Sequence, residues 1–269
     1  MRFFGAQTDM ARCVKKHLFI LCPNNSGSTF LAKSLSACAA VWSLPREGQH
    51  VFGFDGPCSN ALSGNALIWA ANADLRAEFE DEAAYNWAAI RRAWYFQASA
   101  ARPDASVFLQ KSPPHLLIAE ALSAAFPHSY FILMVRNPFA TVEGILRRKM
   151  WDLDRAEKTR LAAQHVLNCF RKQLENRKAL GSRGLWLTYE ALCKNPRSTA
   201  EDISLFLPEL GDLTFEKKVP VKGLYDEPAR DFNADQIARL SEADIRIISN
   251  VLSQDMPTLR DVGYSPAQP

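Results

Sequence analysis

The chain has 269 residues, 48% of them apolar, which is enough to bury a large α/β core in one domain or two small ones. A formal charge of +3 is too small to argue for a nucleic-acid partner, although a local basic pocket for a phosphorylated ligand fits easily. The six cysteines (Cys13, Cys22, Cys38, Cys58, Cys169 and Cys193) form no CxxC pair and no zinc-like His/Cys spacing, so free thiols in a reducing compartment are expected and no metal site.

The first residues, MRFFGAQTDMARCVKK, contain no apolar h-region, and the run Leu18 to Cys22 is far too short to cross a bilayer. A cytoplasmic protein with no membrane segment is expected, with residues 1–16 loosely ordered. The first strand is expected over His17–Cys22, followed by the loop Pro23-Asn24-Asn25-Ser26-Gly27-Ser28-Thr29 and a helix over Phe30–Ala40. Residues 45–72 are rich in Gly, Ser and Asn with weak periodicity, which suits a substrate loop or lid. Helical period returns over Asp74–Ala101.

A second strand, Ser106–Gln110, leads into Lys111-Ser-Pro-Pro and a helix over His115–Phe126, since proline suits a first helical turn. The third strand, Tyr130–Val135, is wholly apolar, as a central parallel strand should be. It ends at Arg136-Asn-Pro, where Pro138 opens a helix reaching about Met150. Helical pattern covers Arg155–Leu180, a fourth strand Gly184–Thr188 ends at Tyr189-Glu190, and helices are expected over Ser198–Phe206 and Ala234–Ser253. The alternation predicts a parallel sheet with crossover helices. With no internal repeat and no low-complexity linker, residues 1–269 read as a single domain.

In an open parallel sheet, ligands bind outside the carboxyl ends of the strands. The loop from Asn25 to Thr29, Lys111, Arg136 and Tyr189 each follow a predicted strand, so they are expected to converge. The loop is not a Walker A motif, which needs Gly where Cys22 stands and Lys where Ser28 stands. Its backbone N–H groups and the following helix dipole make an anion site, or else its hydroxyls merely cap the helix. Arg136 can bind a phosphate bidentately or pair with Glu143 or Glu190. Lys111 can place a charge on a reacting oxygen or be a solvated surface lysine.

PNNSGSTFL, LQKSPP, FPHSYFILMVRNP and LTYEALCKNP occur in the order and approximate spacing of the PAPS-dependent sulfotransferases (PAPS is 3′-phosphoadenylyl sulfate), and the chain looks closest to the branch holding tyrosylprotein and many bacterial sulfotransferases. The closing Val262-Gly263-Tyr264 is similar too. This resemblance implies a P-loop-like three-layer α/β/α fold with a central parallel sheet. It implies transfer of a sulfuryl group from PAPS to a hydroxyl or amine of a small-molecule or peptide acceptor, releasing adenosine 3′,5′-bisphosphate.

By the same resemblance Ser26, Gly27, Ser28 and Thr29 hold the 5′-phosphosulfate, Arg136 holds the 3′-phosphate, Lys111 stabilises charge near the sulfuryl group, and Tyr189 lies near the nucleotide. Glu47 stands where such enzymes place a general base, with His50 as the second choice; a solvent-facing loop carboxylate is the alternative for Glu47. The chain departs from the family pattern twice, with Asn25 in place of a loop Lys or Arg and Gly144 in place of a serine eight residues after the arginine. Asn25 can still donate hydrogen bonds, and Arg147, Arg148 or Lys222 are candidates to supplement the 3′-phosphate site. Trp42, Phe52, Phe54 and Trp151 are candidates to line an acceptor pocket or to be core, and the run Arg147-Arg148-Lys149 to attract an acidic acceptor. Two other functions compete: a divergent P-loop phosphotransferase using ATP, and a PAPS-, PAP- or nucleotide-binding protein without transferase activity.

Overall fold

The computed structural model describes residues 13–57, 68–99, 105–147, 153–221 and 225–266. Apolar runs at Lys16–Leu21 (β1), Val41–Ser43 (β2), Val107–Lys111 (β3), Ser129–Val135 (β4) and Gly184–Thr188 (β5) form a five-stranded sheet in the order β2-β3-β1-β4-β5. Every pairing is parallel, with Leu18 opposite both Leu109 and Tyr130 at the centre. The edge strand β2 was not expected. Three residues are too few to show a period of two.

Alternation along the central strands sends side chains to two separate layers. Phe19, Leu21, Phe131 and Leu133 face one side, where they pack with Trp94 and Leu122. Leu18, Ile20, Ile132 and Met134 face the other, against Leu31, Leu35 and Ile203. Helices therefore cover both faces, and the result is the three-layer α/β/α arrangement. Among the described residues no helix is long and apolar enough to cross a membrane.

Several helices differ from the periodicity, and short polar side chains account for two of the breaks. The first, α1, is Ser28–Ser36; it starts before Phe30 and stops short of Ala40. The stretch from Asp74 to Ala101 is broken into α2 (Ala73–Glu80) and α3 (Trp87–Ser99), and residues 100–101 lie outside the described residues. Asp81 and Asn86 make the break, accepting from the N–H groups of Ala83 and Ala89 and offering the backbone a local alternative to helix. After β3 the two prolines begin a 3₁₀ stretch, Pro113–Ile118, before α4 (Ala119–Ala125).

Next come α5 (Pro138–Leu146) and the long α6 (Arg155–Leu180); residues 148–150, where the first of these was expected to end, lie outside the described residues. A short α7 (Tyr189–Lys194) follows β5 directly, then α8 (Pro196–Phe206) and a small antiparallel hairpin of β6 (Val219–Val221) and β7 (Tyr225–Glu227). The span Ala234–Ser253 is split into α9 (Asn233–Ile237) and α10 (Glu242–Leu252) by the capping box of Ser241 and Asp244. Helix α11 (Met256–Val262) is the last of the described helices.

Two side chains of α6 reach the sheet. Gln173 Nε2 donates to the carbonyls of Leu21 at 2.7 Å and Met134 at 3.1 Å, tying the carboxyl ends of β1 and β4 together. Asn176 Nδ2 donates to the Leu116 carbonyl at 2.8 Å and so holds the segment that follows β3. The five described cysteines other than Cys58 are free, and burial pushes the Cys22 and Cys169 thiols up; Cys58 lies outside the described residues.

Burial also holds three histidines neutral. Desolvation lowers His17 to about 4, and His115 and His165 to about 3. Their unfolded counterparts protonate near pH 6.5, so between pH 6.5 and about 4 the unfolded chain binds more protons and stability rises with pH. Their contribution is complete above about pH 6.5 and is lost as the pH falls through that window. The urea midpoint should drop steadily from pH 6.5 to 4. His115→Phe should flatten the drop, because neither ring nitrogen of His115 has a partner and the ring stacks on Phe54 and packs against Trp94. An unchanged slope in that variant would assign the acid sensitivity to other groups.

Candidate active site

The catalytic and donor-site candidates from the sequence gather at or beyond the carboxyl ends of the strands. The loop after β1 leads to α1, Glu47 follows β2, Lys111 ends β3, Arg136 follows β4 and Tyr189 follows β5. Parallel pairing puts all of these ends on one edge of the sheet, and sequence separation disappears.

On the β4–β5 side the site is built to hold an anion. Gly27 is the N-cap of α1 in a left-handed conformation (φ 85°), and no side chain caps the helix. Phe30 N–H donates to the Gly27 carbonyl at 3.0 Å, and the N–H groups of Ser28 and Thr29 are left to an external acceptor. A Cβ on Gly27 would stand 2.5 Å and 2.7 Å from ring carbons of Tyr189, so only glycine lets this ring reach the loop. The Arg136 guanidinium lies over the same ring, 4.0 Å from its centroid. Tyr189 is fixed in turn, its hydroxyl donating to the Arg230 carbonyl at 2.7 Å and accepting from Phe232 N–H at 3.2 Å. Burial raises its pKa well out of range, so it remains a phenol.

Arg136 is only 5% exposed. Its Nε donates to Asn233 Oδ1 at 2.8 Å and its Nη1 to the Asn25 carbonyl at 3.0 Å, while Nη2 is buried with no partner. The expected carboxylate pairings are not made. Glu143 binds Arg147 at 2.8 Å and Arg239 at 3.7 Å. Glu190 instead accepts from Asn137 N–H at 2.8 Å, Asn233 Nδ2 at 2.7 Å and the Tyr264 hydroxyl at 2.8 Å. A buried guanidinium donor without an acceptor costs several kcal/mol in general, on the order of 1–3 or more, and an anionic ligand offsets that cost. The Ser26 hydroxyl is likewise buried and unpartnered, and Ser28 is buried beside it.

On the β2–β3 side the candidates for proton transfer meet. Lys111 Nζ donates to Glu47 Oε1 in a short ion pair, and His50 Nε2 lies 3.9 Å from Glu47 Oε2. The lysine side chain is 12% exposed and the glutamate 30%, so neither is a freely solvated surface group. Burial lowers the His50 pKa, partly opposed by Glu47, which keeps the imidazole neutral near pH 7. These groups line a cavity of about 280 Å³ that also reaches Thr29 of the anion loop.

The two departures from the family pattern touch each other. A Cβ on Gly144 would stand 2.8 Å from Asn25 Cβ and 3.0 Å from its Cγ, so the Asn25 side chain occupies the place a serine side chain would take. Asn25 is itself left-handed (φ 60°), which asparagine tolerates better than most residues. Arg147 is engaged with Glu143, and Arg148, Lys149, Lys222 and Trp151 lie outside the described residues.

Trp42 is core and Phe54 stacks on Trp94 and His115, whereas Phe52 is 87% exposed. The middle of the 45–72 segment, residues 58–67, also lies outside the described residues. Its flank is anchored, with Trp69 buried and donating to Asn24 Oδ1 at 3.3 Å. Asn233 and Gln173 were not found in the sequence; Glu190 was named there only as a candidate partner of Arg136, and Tyr264 only as part of the closing Gly-Tyr.

A model of the sulfotransferase family matches residues 17–209. No curated protein matches the sequence. Among solved structures, the chain is similar to the sulfotransferase domain of an olefin synthase from Synechococcus PCC 7002, at 21% identity and TM-score 0.58, covering 88% of this chain and 94% of that one. It is similar to a sulfotransferase from Alicyclobacillus acidocaldarius (15% identity, TM-score 0.56, 93% and 96% covered). A sulfotransferase from Mycobacterium avium gives 14% identity and TM-score 0.54, with 94% and 80% covered. At such identities the likeness is one of fold.

The contact between residues 25 and 144 makes a double-mutant prediction. Gly144→Ala forces its methyl into Asn25 and should lower stability by about 1–3 kcal/mol in urea denaturation. In an Asn25→Gly background, where that Cβ is absent, the same substitution should cost less than about half as much. Additive costs would show that Asn25 is not what excludes a side chain at 144.

Proposed function

This chain belongs to the sulfotransferase family, and from that premise we propose that it transfers a sulfuryl group from PAPS to a hydroxyl or amine of an acceptor. The observation that carries the PAPS reading is the pair of anion-seeking groups on the β4–β5 side. One is the buried, unpartnered Nη2 of Arg136; the other is the α1 N-terminus, which no side chain caps. They are joined through the hydrogen bond from Arg136 to the Asn25 carbonyl, so one ligand with anions at two places suits both.

PAPS supplies the sulfuryl group and leaves as adenosine 3′,5′-bisphosphate. In this reading Arg136, stacked on Tyr189, takes the 3′-phosphate, and Ser26, Gly27, Ser28 and Thr29 take the 5′-phosphosulfate. Lys111 places its charge on the oxygen that gains negative charge as the S–O bond to the leaving phosphate breaks. Glu47 accepts the proton from the acceptor as its oxygen or nitrogen bonds to sulfur, and neutral His50 is the second candidate. Positioning and charge stabilisation do most of the work, as in phosphoryl transfer. Beyond the family match, Asn233 and Tyr264 complete the network around Arg136 and Glu190, which supports reading residues 1–269 as one domain.

Calorimetric titration tests the ligand. Adenosine 3′,5′-bisphosphate should bind more tightly than ADP or Mg–ATP, and Arg136→Ala should weaken it by about 10- to 100-fold, the value of a charged hydrogen bond. Equal affinity for ADP, or tighter binding of Mg–ATP, would reject the 3′-phosphate assignment and favour a phosphotransferase.

The β2–β3 side makes a separate prediction. With a turned-over acceptor, Lys111→Ala and Glu47→Gln should each lower kcat by roughly 10²–10⁴-fold while bisphosphate affinity changes little. Full turnover in Glu47→Gln would move the base to His50. Bisphosphate binding without turnover of any acceptor would favour the binding-protein alternative.

A further inference from the structure

The cavity next to Lys111 carries more positive charge than sulfuryl transfer uses. Its ionic lining consists of Lys33, Arg46, Glu47 and Lys111, with His50 beside them. Lys111 and Glu47 neutralise each other in their ion pair, and His50 is held neutral by burial. Two cations remain. Lys33 lies one turn along α1 from Thr29, and Arg46 precedes Glu47 in the segment after β2, so separate elements bring them to one wall.

Both are held by backbone carbonyls and not by carboxylates. Lys33 Nζ donates to the Pro220 carbonyl at 2.5 Å, and Arg46 Nη1 to the His50 carbonyl at 3.2 Å. Among the described residues neither has a salt-bridge partner, which leaves several of their donors available. The rest of the wall is mixed: Ala32, Leu44, Pro45 and Leu109 give it an apolar part, and Thr29, Ser36 and Ser43 add small hydroxyl side chains. At about 280 Å³ the cavity lies just below the roughly 300–1,000 Å³ usual for ligand sites, which suits a single-ring molecule better than a peptide.

Building on the sulfotransferase reading above, we propose that the acceptor is a small hydroxy acid. Its anionic group lies between Lys33 and Arg46, its apolar body against Leu44 and Leu109, and its hydroxyl at Glu47. A cationic acceptor meets like charge there, and a neutral one leaves both cations unused.

Three phenols that share a ring and a hydroxyl test this: 4-hydroxyphenylacetate, 4-methylphenol and tyramine. Each is titrated by calorimetry into the full chain saturated with adenosine 3′,5′-bisphosphate. The anion should bind at least about tenfold more tightly than the neutral phenol, with tyramine weakest. The double variant Lys33→Gln, Arg46→Gln should erase that preference and leave bisphosphate affinity within about twofold.

Equal or tighter binding of 4-methylphenol, no binding of any phenol, or a preference that survives in the double variant overturns the proposal. Loss of bisphosphate affinity in the double variant, with the phenol preference intact, overturns it too and gives the cations to the donor. Failure of the parent chain to bind the bisphosphate counts against the sulfotransferase reading instead. In that case the same phenol series on the ligand-free chain still decides whether the cavity selects an anion.

Discussion

A guanidinium buried at the end of an apolar strand is the constraint on which much of this molecule depends. Charge this deep is costly unless its donors are matched, and Arg136 has only neutral acceptors for two of them and none for Nη2. The surroundings follow from that. Tyr189 supplies a π face under the charge, Gly27 has no side chain so that the ring can reach it, and Asn233 passes the polarity on to Glu190. Glu190 is in turn satisfied by Asn137 and Tyr264, so the carboxylate that could have neutralised the arginine is committed elsewhere. The guanidinium is thereby fixed but not discharged, which is the condition for binding an anion strongly from solution.

Holding such a site requires that the strand ends keep their relative heights, and backbone pairing alone leaves the last residues of a strand free to fray. Gln173 supplies the missing restraint by bonding two carbonyls, one on β1 just before the loop and one on β4 just before Arg136. Asn176, a single turn further along α6, fixes the segment after Lys111. One long helix thus sets the ends of β1 and β4 and the segment after β3 against each other. Its own ends are secured by the Asp154 cap and by Gly181, so the rigidity is built into the helix and not borrowed from the loops.

The strands β1, β3, β4 and β5 were legible because buried parallel strands are nearly continuous apolar runs, as Phe131 to Val135 illustrates. Arg136 was legible for the same reason, being the first polar group after such a run, and Lys111 and Tyr189 because they stand one residue beyond Gln110 and Thr188, the first polar groups of theirs. The breaks at Asp81, Asn86 and Ser241 were not, because side-chain capping competes with helical period on a scale shorter than the period itself. Asn233 and Gln173 carry no local mark at all; the bonds that give their side chains a role span 39 to 152 residues. Asn25 and Gly144 read as two independent defects in a motif. In space they form one exchange, the side chain lost at 144 being replaced by one that reaches in from 25.

The remaining link is between the two halves of the edge. Lys111 and Glu47 hold each other in an ion pair. On the proposed reading, the oxygen that develops charge near Lys111 competes with the Glu47 carboxylate for the same ammonium. On the same reading, an acceptor that arrives without the donor meets a carboxylate already engaged by Lys111, and one that arrives after it meets a carboxylate from which the ammonium has been drawn. In that reading the ion pair of Glu47 and Lys111 is the link between donor binding on one half of the edge and the acceptor on the other.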